Sequence, residues 1–474
     1  MIDVSGFTAL CPNPGGAGLR VCSGAQVDME DNAPLTIEDQ KIPPIVLDIS
    51  RRLIKNGYQA FIVGGALRDA LLGRQAQDWD VATDATPEMI HDLFSEMTRF
   101  GLKHGTVTLV FRGRHFEVTT FRGPGEYADS IEEDLSHMDF TFNAMGYDVT
   151  HRRIIDPFGG KRDMKKRVVR AVLNPLDRFN EDPLRMMRAI RFSLELGYTI
   201  EPETLKAISH TADAIDTMAK ERIRDELLKI LMVSKPSVGF NLMRKTGLLG
   251  RILPELLEGY RKRQNNYHQY TIYRHTMETV DSVDKESILR VSALFHDIAK
   301  PRVRKKVNGR WGFFGHAKAS AKLCREIMLR LRFSNERIDR VTHLVAHHMF
   351  DYKTRLTERA LRRFIKRVGA GNINDIIRLR KADDVAHGWG RIDENQIEEF
   401  RNRISAQIEK SHPLTISDLA VDGHDVMNAL GLQPGPKVGK ILDQLLEVVI
   451  EKPEYNKRDR LIKILKDMRK TLLP

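Results

Sequence analysis

The chain has 474 residues and a formal net charge of +12. This length exceeds what one hydrophobic core ordinarily supports, so several domains are expected, and 41% hydrophobic with 30% charged residues is typical of a globular protein. No segment approaches the run of roughly 20 apolar residues that a membrane-spanning helix needs, which argues against an integral membrane protein. A basic surface attracts polyanions, so charge alone fits RNA, DNA or an anionic membrane.

The N-terminal segment 1–37 is rich in Gly, Pro, Asn and Asp and shows no sustained hydrophobic period. We interpret it as a flexible extension or a misassigned start. It lacks a basic stretch followed by an apolar core, so it is a poor signal peptide. The chain has three cysteines, Cys11, Cys22 and Cys324, which do not suggest a disulfide framework. The sequence therefore predicts a protein of the reducing cytoplasm.

The segment 38–165 has the mixed pattern of an α+β domain. Residues 38–56 predict a helix with one apolar side, and residues 58–65 predict a short buried strand that runs into a Gly-Gly turn. The segments 106–111 and 116–121 predict paired strands. From about residue 166 the strand signals fade and helical patterns continue to the C-terminus without a fixed repeat. The sequence thus predicts an α+β head followed by an all-helical body.

Two carboxylates, Asp78 and Asp80, flank Trp79 in the head. If this segment is a strand, both side chains leave the same face. Adjacent carboxylates repel each other, and a divalent cation relieves the repulsion; Mg²⁺ commonly links carboxylates to substrate phosphates. Most Asp-x-Asp sequences are surface loops or helix caps, so the pair predicts a catalytic Mg²⁺ site only in combination with its surroundings.

The surroundings of this pair suit a nucleotide. Gly64 and Gly65 follow a strand and open a helix, where backbone can approach a phosphate closely. Arg68 adds guanidinium donors for phosphate oxygens. Glu117 lies on a predicted strand that could run beside Asp80, which makes it a candidate third catalytic carboxylate; a strand-face glutamate with its hydrogen bonds satisfied is an equally good interpretation.

A polar stripe recurs every three residues on a predicted helix at Asp182, Arg185, Arg188 and Arg191. Asp182 and Arg185 could present acceptor and donor edges to a base, and the other two arginines could contact phosphates. The alternative is an exposed helix face with salt bridges.

The helical body contains a set of imidazoles and carboxylates, and both groups suit transition metals. The adjacent His-Asp pair, with a further His and Asp at long spacing, resembles the HD phosphohydrolase superfamily. The matching positions are His275, His296, Asp297 and Asp383, with His316 and His347 as candidate ligands of a second metal.

Several motifs together resemble the class II tRNA nucleotidyltransferase and poly(A) polymerase family in order and spacing, and the His-Asp body resembles that of the bacterial members. The motifs are GlyGly-x-x-ArgAsp (64–69), AspTrpAspValAlaThr (78–83), GluValThrThrPheArg (117–122), AspPheThrPheAsnAlaMet (139–145), GluAspProLeuArgMetMetArgAlaIleArgPhe (181–192) and GluArgIleArgAspGluLeu (221–227).

The resemblance implies a polymerase-β-like head at 38–165, a helical neck at 166–255, an HD body at 256–392 and a helical tRNA-binding tail at 393–474. It implies that Asp78 and Asp80 bind Mg²⁺ and that Asp182 and Arg185 select CTP and ATP by pairing with the base. By motif match, Gly65, Arg68, Arg188 and Arg191 would also contact the nucleotide.

The sequence departs from the family pattern at two places. Met138 stands where the family has the second Arg of ArgArgAspPheThr, which normally helps to hold the nucleotide. The segment 127–130 runs almost directly into 131–135, so about ten residues of a flexible loop are missing relative to usual loop lengths. A shortened loop resembles the CC-adding branch of the family, which leaves the terminal A to a partner enzyme.

These observations predict a template-independent transferase that adds C and/or A to the 3′ end of tRNA from CTP and ATP and releases pyrophosphate. CC-addition alone and poly(A) polymerase activity stay open as alternatives. So do an HD phosphohydrolase with a degenerate transferase head and an RNA-binding protein without catalysis.

Overall fold

The computed structural model describes residues 11–12, 19–20, 41–97, 105–123, 127–265, 268–307, 309–352, 356–388, 393–410 and 415–472. Contacts divide the chain into two compact units, 1–166 and 167–474. In the predicted extension 1–37, the structure describes only the antiparallel pair β1 (Cys11–Pro12) and β2 (Leu19–Arg20), and the rest lies outside the described residues. Within the described ranges, no helix is long and apolar enough to span a membrane.

The first unit is built on one six-stranded sheet with the strand order β5-β6-β4-β3-β7-β8. All neighbouring strands are antiparallel except β4 and β6, which are parallel. The strands are β3 (Ala60–Val63), β4 (Asp80–Thr83), β5 (Thr106–Phe111), β6 (Arg114–Thr120), β7 (Gly146–Asp148) and β8 (Arg153–Ile155). The helices are α1 (Pro44–Lys55), α2 (Gly64–Leu71), α3 (Pro87–Leu93), α4 (Ile131–Ser136) and α5 (Gly160–Lys165).

The sequence pattern accounts for the main elements of this sheet. Every residue of β3 is buried, as its uninterrupted apolar run predicts for a central strand. Strands β5 and β6 are the predicted pair, and Arg112 and Gly113 between them both have positive φ, which matches the twist of a two-residue hairpin. The α+β class of the head is therefore confirmed.

The second unit is mostly helical. Its helices are α6 (Pro175–Glu181), α7 (Leu184–Leu196), α8 (Pro202–His210), α9 (Lys220–Leu231), α10 (Pro236–Lys245), α11 (Leu248–Ile252), α12 (Pro254–Leu257), α13 (Ile272–Ser282), α14 (Ser287–Phe295), α15 (Lys300–Val303), α16 (His316–Arg330), α17 (Asn335–His347), α18 (Glu358–Val368), α19 (Ile373–Ala386), α20 (Glu394–Glu409), α21 (Gly423–Leu430), α22 (Pro436–Glu451) and α23 (Arg458–Leu472).

The prediction of an all-helical body was wrong in two places. The two-residue strands β9 (Val168–Val169) and β10 (Thr199–Ile200) pair in parallel. The strands β11 (Lys305–Val307) and β12 (Arg310–Gly312) pair antiparallel as a hairpin. The sequence between these two strands is Asn-Gly, and Gly309 has φ +76°, so the local turn chemistry of a two-residue hairpin overrides the helical surroundings.

The interior of the second unit is formed by α13, α14 and α19, which contact one another. Helix α14 is buried continuously from Leu289 to Phe295, so the His-Asp pair that follows it is delivered into the protein interior. The C-terminal helices α21, α22 and α23 share a separate hydrophobic cluster that includes Val426, Leu445 and Leu465.

Candidate functional site

The first candidate site lies where β3 passes into α2. Val63 is paired with Asp80 across the two strands, and Gly64 follows with φ +80°. A Cβ atom at Gly64 would lie 2.9 Å from Oδ2 of Asp80. Both the backbone conformation and the close carboxylate therefore require glycine at the first residue of this helix. At Gly65, a Cβ would lie 3.6 Å from Nη2 of Arg68, so that glycine leaves open space beside the guanidinium.

Three carboxylates surround the start of β4. Asp80 is the first residue of the strand and is paired in register with Glu117 on β6. Asp78 is exposed and precedes the strand, which begins at Asp80, so the condition for a shared strand face is not met at Asp78. Burial, followed by repulsion from Glu117 and then Asp78, raises the pKa of Asp80 to about 7. A cluster of this kind fits a divalent cation, which would offset the repulsion.

Arg68 is buried and joins α2 to the segment that contains Asn143. Its Nε and Nη2 donate to the two oxygens of Asp69, each at 2.9 Å, and its Nη1 donates to Oδ1 of Asn143 at 2.8 Å. The amide of Asn143 donates in turn to Asp139 at 2.8 Å. Two of the recognised motifs are therefore held together by one hydrogen-bonded chain.

The position of Met138 is next to another arginine. Nη2 of Arg122 lies 3.4 Å from Sδ of Met138, while Nε of Arg122 donates to the buried Asp134 at 2.8 Å. The charge of Arg122 also acts on Asp80, where it lowers the pKa against the larger opposing effects. A guanidinium is therefore present beside the residue that replaces the family's arginine. Ser130 caps α4 directly, so the chain enters this helix at once after residues 127–130.

The predicted base-selecting residues lie at the start of α7. Oδ2 of Asp182 accepts from Arg222 at 2.8 Å, and Oδ1 accepts from the backbone of Leu184. Arg185 donates to Glu181 at 3.0 Å. Both side chains are partly accessible, and a base would have to replace these partners.

The two remaining arginines of the stripe have different surroundings. Arg188 is half-buried with its guanidinium 5.5 Å from the ring centroid of Phe192. Arg191 is buried and donates to Glu226 on α9 at 2.8 Å and to Glu195 at 2.6 Å. This placement favours a role for Arg191 in packing α7 against α9.

The second candidate site is a buried cluster in the second unit. One ligand atom from each of four predicted residues lies within 4.8 Å of the others: His275, His296, Asp297 and Asp383. Nε2 of His275 is 2.9 Å from Oδ1 of Asp383 and 3.4 Å from Oδ2 of Asp297, and Nε2 of His296 is 3.1 Å from the same Asp297 oxygen.

A second group shares Asp297. Its other oxygen, Oδ1, lies 3.4 Å from Nε2 of His316 and 3.8 Å from Nε2 of His348. The prediction of His347 as a ligand was wrong: its ring packs against that of His343, with the two ring centroids 4.7 Å apart. The reason is helical phase. Val341 and Val345 lie on the buried face of α17, and His348, which caps the helix with helical backbone angles, continues that face. His343 and His347 are one turn apart on another face. That periodicity would have identified His348 from the sequence.

The histidines of the cluster are oriented by the backbone. In each ring, Nδ1 faces a carbonyl oxygen at 2.7–3.0 Å: those of Ala386, Ala293, Phe313 and Val345 for His275, His296, His316 and His348 respectively. This arrangement directs every Nε2 into the cluster, as is typical of metal-binding histidines.

Unpaired buried atoms show that the cluster fits a cation. Oδ1 of Asp297 and Nε2 of His316 and His348 lack a hydrogen-bond partner among the described residues, whereas Oδ2 of Asp297 lies 2.5 Å from the ammonium of Lys300. Burial lowers the pKa of His348 to about 3, which leaves it neutral and able to ligate. For His296 burial also lowers the pKa, but the carboxylates of Asp297 and Asp383 outweigh it and raise the pKa to about 10, so a proton there takes the place of a cation.

Comparisons with known proteins place these sites in a family context. Three family descriptions match: "Poly A polymerase head domain" over residues 60–170, "Probable RNA and SrmB-binding site of polymerase A" over 197–259, and "tRNA nucleotidyltransferase domain 2" over 308–465. The CCA-adding enzyme of Geobacillus thermodenitrificans is 32% identical over 443 residues, which covers 90% of this chain and 98% of the relative. That of Lactobacillus johnsonii is 39% identical over 235 residues, or 58% of its length.

A solved structure is similar over most of the fold. The crystal structure of Bacillus stearothermophilus CCA-adding enzyme in complex with CTP covers 92% of this chain and 98% of its own, with a TM-score of 0.68 and 27% identity.

Proposed function

Because the chain belongs to the class II tRNA nucleotidyltransferase and poly(A) polymerase family, we propose that it adds C and A residues to the 3′ end of tRNA in the cytoplasm, the compartment its cysteine usage predicts. The observation that carries the proposal is the placement of Asp80: it faces Gly64 at the start of α2, pairs in register with Glu117, and lies in the segment that matches the polymerase head. The CTP complex of a similar enzyme supports the choice of nucleotide.

In the proposed reaction, the 3′-hydroxyl of the RNA attacks the α-phosphate of CTP or ATP and pyrophosphate leaves. Asp78 and Asp80 would hold Mg²⁺, which when bound supplies positive charge for the phosphates and activates the hydroxyl. Glu117 raises the local negative charge, while the first backbone amides of α2 and the Arg68 side chain offer donors for phosphate oxygens. Asp182 and Arg185 would select the base after release from Arg222 and Glu181.

The test is sequencing of the product formed from a tRNA without its 3′ terminal nucleotides, CTP and ATP. We expect CCA ends with the parent protein and no incorporation with Asp80→Asn. The matched control is the exposed Asp92→Asn, which should incorporate at the parent rate. Full incorporation by Asp80→Asn would refute the assignment.

CC-addition alone is a second candidate, and the direct entry of residues 127–130 into α4 favours it. The same product sequencing distinguishes the cases. Ends that stop at CC in the presence of ATP would establish the shorter reaction, whereas tails of A on RNAs other than tRNA would establish poly(A) polymerase activity.

We also propose that the His-Asp cluster of the second unit binds divalent transition metal ions and hydrolyses phosphate esters. Its support is the group of buried atoms without a hydrogen-bond partner among the described residues: Oδ1 of Asp297 and Nε2 of His316 and His348. Metal ions bound there would lower the pKa of a water molecule, and the buried Lys300, 2.5 Å from Asp297, supplies a positive charge beside the ester. We expect metal-dependent phosphate release that is lost in His296→Ala and kept in Asp80→Asn. Equal release by both variants would contradict this assignment.

A further inference from the structure

The hairpin β11–β12 lies immediately before His316 and is unusually basic. The 28 residues from 298 to 325 contain nine Lys or Arg and no Asp or Glu. Three of the nine are paired: Lys300 with Asp297, Arg302 with Glu258, and Arg325 with Asp339. Four further cations have no ion pair with any residue that the structure describes: Arg304, which precedes the hairpin, and Lys305, Lys306 and Arg310 within it.

Each face of the hairpin carries one aromatic ring among these cations. Lys306 is paired with Trp311 across the strands, and the guanidinium of Arg304 lies 3.6 Å from the Trp311 ring centroid. On the opposite face, Lys305 is paired with Gly312 and Val307 with Arg310.

The second ring belongs to Phe314, whose side chain is 75% exposed. A Cβ atom at Gly312 would lie 2.7 Å from this ring, so glycine there allows the ring to lie against the strand. The ring therefore has a fixed support on one side and solvent on the other. Lys305 and Arg310 belong to the same face.

This combination matches the chemistry of unpaired nucleotides. Aromatic rings stack on bases that are not paired, and unneutralised Lys and Arg side chains contact the phosphates between them. An anionic membrane would require the apolar side chains to be gathered on one face, whereas here they are divided between two.

We propose that the β11–β12 hairpin with Phe314 is a binding surface for single-stranded RNA. The surface continues into the metal cluster, because His316 follows Phe314 by two residues and is the partly accessible member of its group. The choice of RNA over DNA rests on the proposed function; the binding itself requires neither activity.

The test uses the full chain in EDTA and a fluorescein-labelled oligouridylate that forms no duplex. We expect Phe314→Ala to bind about tenfold more weakly, since one stacked base is lost, and Phe314→Trp to bind like the parent. Lys305→Gln with Arg310→Gln should lower the slope of log affinity against log salt by about 1.4, the value for two single-strand phosphate contacts. Phe314→Leu, which is apolar but cannot stack, should resemble Phe314→Ala.

Two controls localise the effect. Arg325→Gln with Arg401→Gln removes two exposed cations that are already paired with Asp339 and Glu398, and it should leave binding and its salt slope unchanged. Trp311 is one of three tryptophans, so the quenching that RNA causes in the parent but not in Trp311→Phe reports contact at the hairpin.

The proposal is overturned if Phe314→Ala and the Lys305/Arg310 double variant both bind oligouridylate like the parent, or if saturating RNA leaves Trp311 emission unchanged. Equal affinity for the deoxyribonucleotide would overturn the choice of RNA. Failure of the proposed transferase would appear separately, as absence of CTP incorporation by a protein that still binds the oligonucleotide.

Discussion

At the scale of single residues, the candidate active site depends on a position without a side chain. Gly64 has a left-handed backbone conformation and lies so close to Asp80 that a methyl group would displace the carboxylate. The sequence indicated glycine as a means of approaching phosphate, and the structure adds that the same glycine leaves room for the candidate catalytic carboxylate of Asp80. Such a contact depends on strand register, which the motif alone does not contain.

We predict that Gly64→Ala lowers nucleotide incorporation by at least about a hundredfold, because a small misplacement of a catalytic group is costly. Gly73→Ala is the matched control: its φ is +68° but nothing lies within 4 Å of an added Cβ, so it imposes backbone strain without contacting the site. Incorporation of labelled CTP into tRNA measures both. Similar losses in the two variants would show that strain, rather than contact with Asp80, is responsible.

Adjacent histidines provide a second prediction at this scale. His348→Ala should lower the metal content of the purified protein from two ions to one, because its Nε2 faces Asp297. His347→Ala should leave the content unchanged, since that ring contacts His343. Mass-spectrometric metal analysis gives the stoichiometry, and a loss of metal in His347→Ala alone would reverse the assignment.

At the scale of helices and strands, long periodic segments were predictable and short ones were not. The strand pair β5–β6 and the helices α7 and α22 follow from hydrophobic periodicity. Strands β7 and β8 have three residues each, too few to establish an alternation. The hairpin β11–β12 was missed because three of its strand residues are Lys or Arg, and only the Asn-Gly turn between the strands indicates it.

An ion pair between α12 and α16 gives a pH-dependent prediction. Burial would raise the pKa of Glu255, but the hydrogen bonds from Arg330, at 2.6 and 3.0 Å, outweigh it and hold the pKa below its usual value. Because the folded-state pKa is depressed, the pair stabilises the protein above the pKa of the unfolded state, about 4.3, and this contribution is lost as the pH falls through the folded-state value.

Arg330→Met should therefore lower the free energy of unfolding by about 2 kcal/mol at neutral pH, a value discounted for the partial exposure of Arg330. The difference from the parent should shrink as the pH falls below 4. Thermal denaturation followed at both pH values measures it. A deficit that stayed constant with pH would mean that lost packing of the arginine stem, rather than its charge, is the cause.

At the scale of the whole molecule, the excess of basic residues is the property that can be read most directly from the sequence. A net charge of +12 favours tRNA binding through release of counterions from the phosphates. We predict that raising monovalent salt from about 50 to about 200 mM weakens tRNA binding by at least about a hundredfold. The incorporation rate at saturating tRNA should change little, because the transferred phosphates are held locally. Filter binding at the two salt concentrations measures the affinity, and a salt-independent affinity would contradict this view.

The backbone anchors of the metal cluster have a consequence for comparing related chains. Four imidazoles are oriented by backbone carbonyl oxygens. Every amino acid supplies such an oxygen, whatever its side chain. These contacts therefore do not depend on the side chains of the residues that supply the carbonyl oxygens. If the cluster binds metal as proposed, the positions whose replacement should abolish binding are the six that carry ligand atoms: 275, 296, 297, 316, 348 and 383.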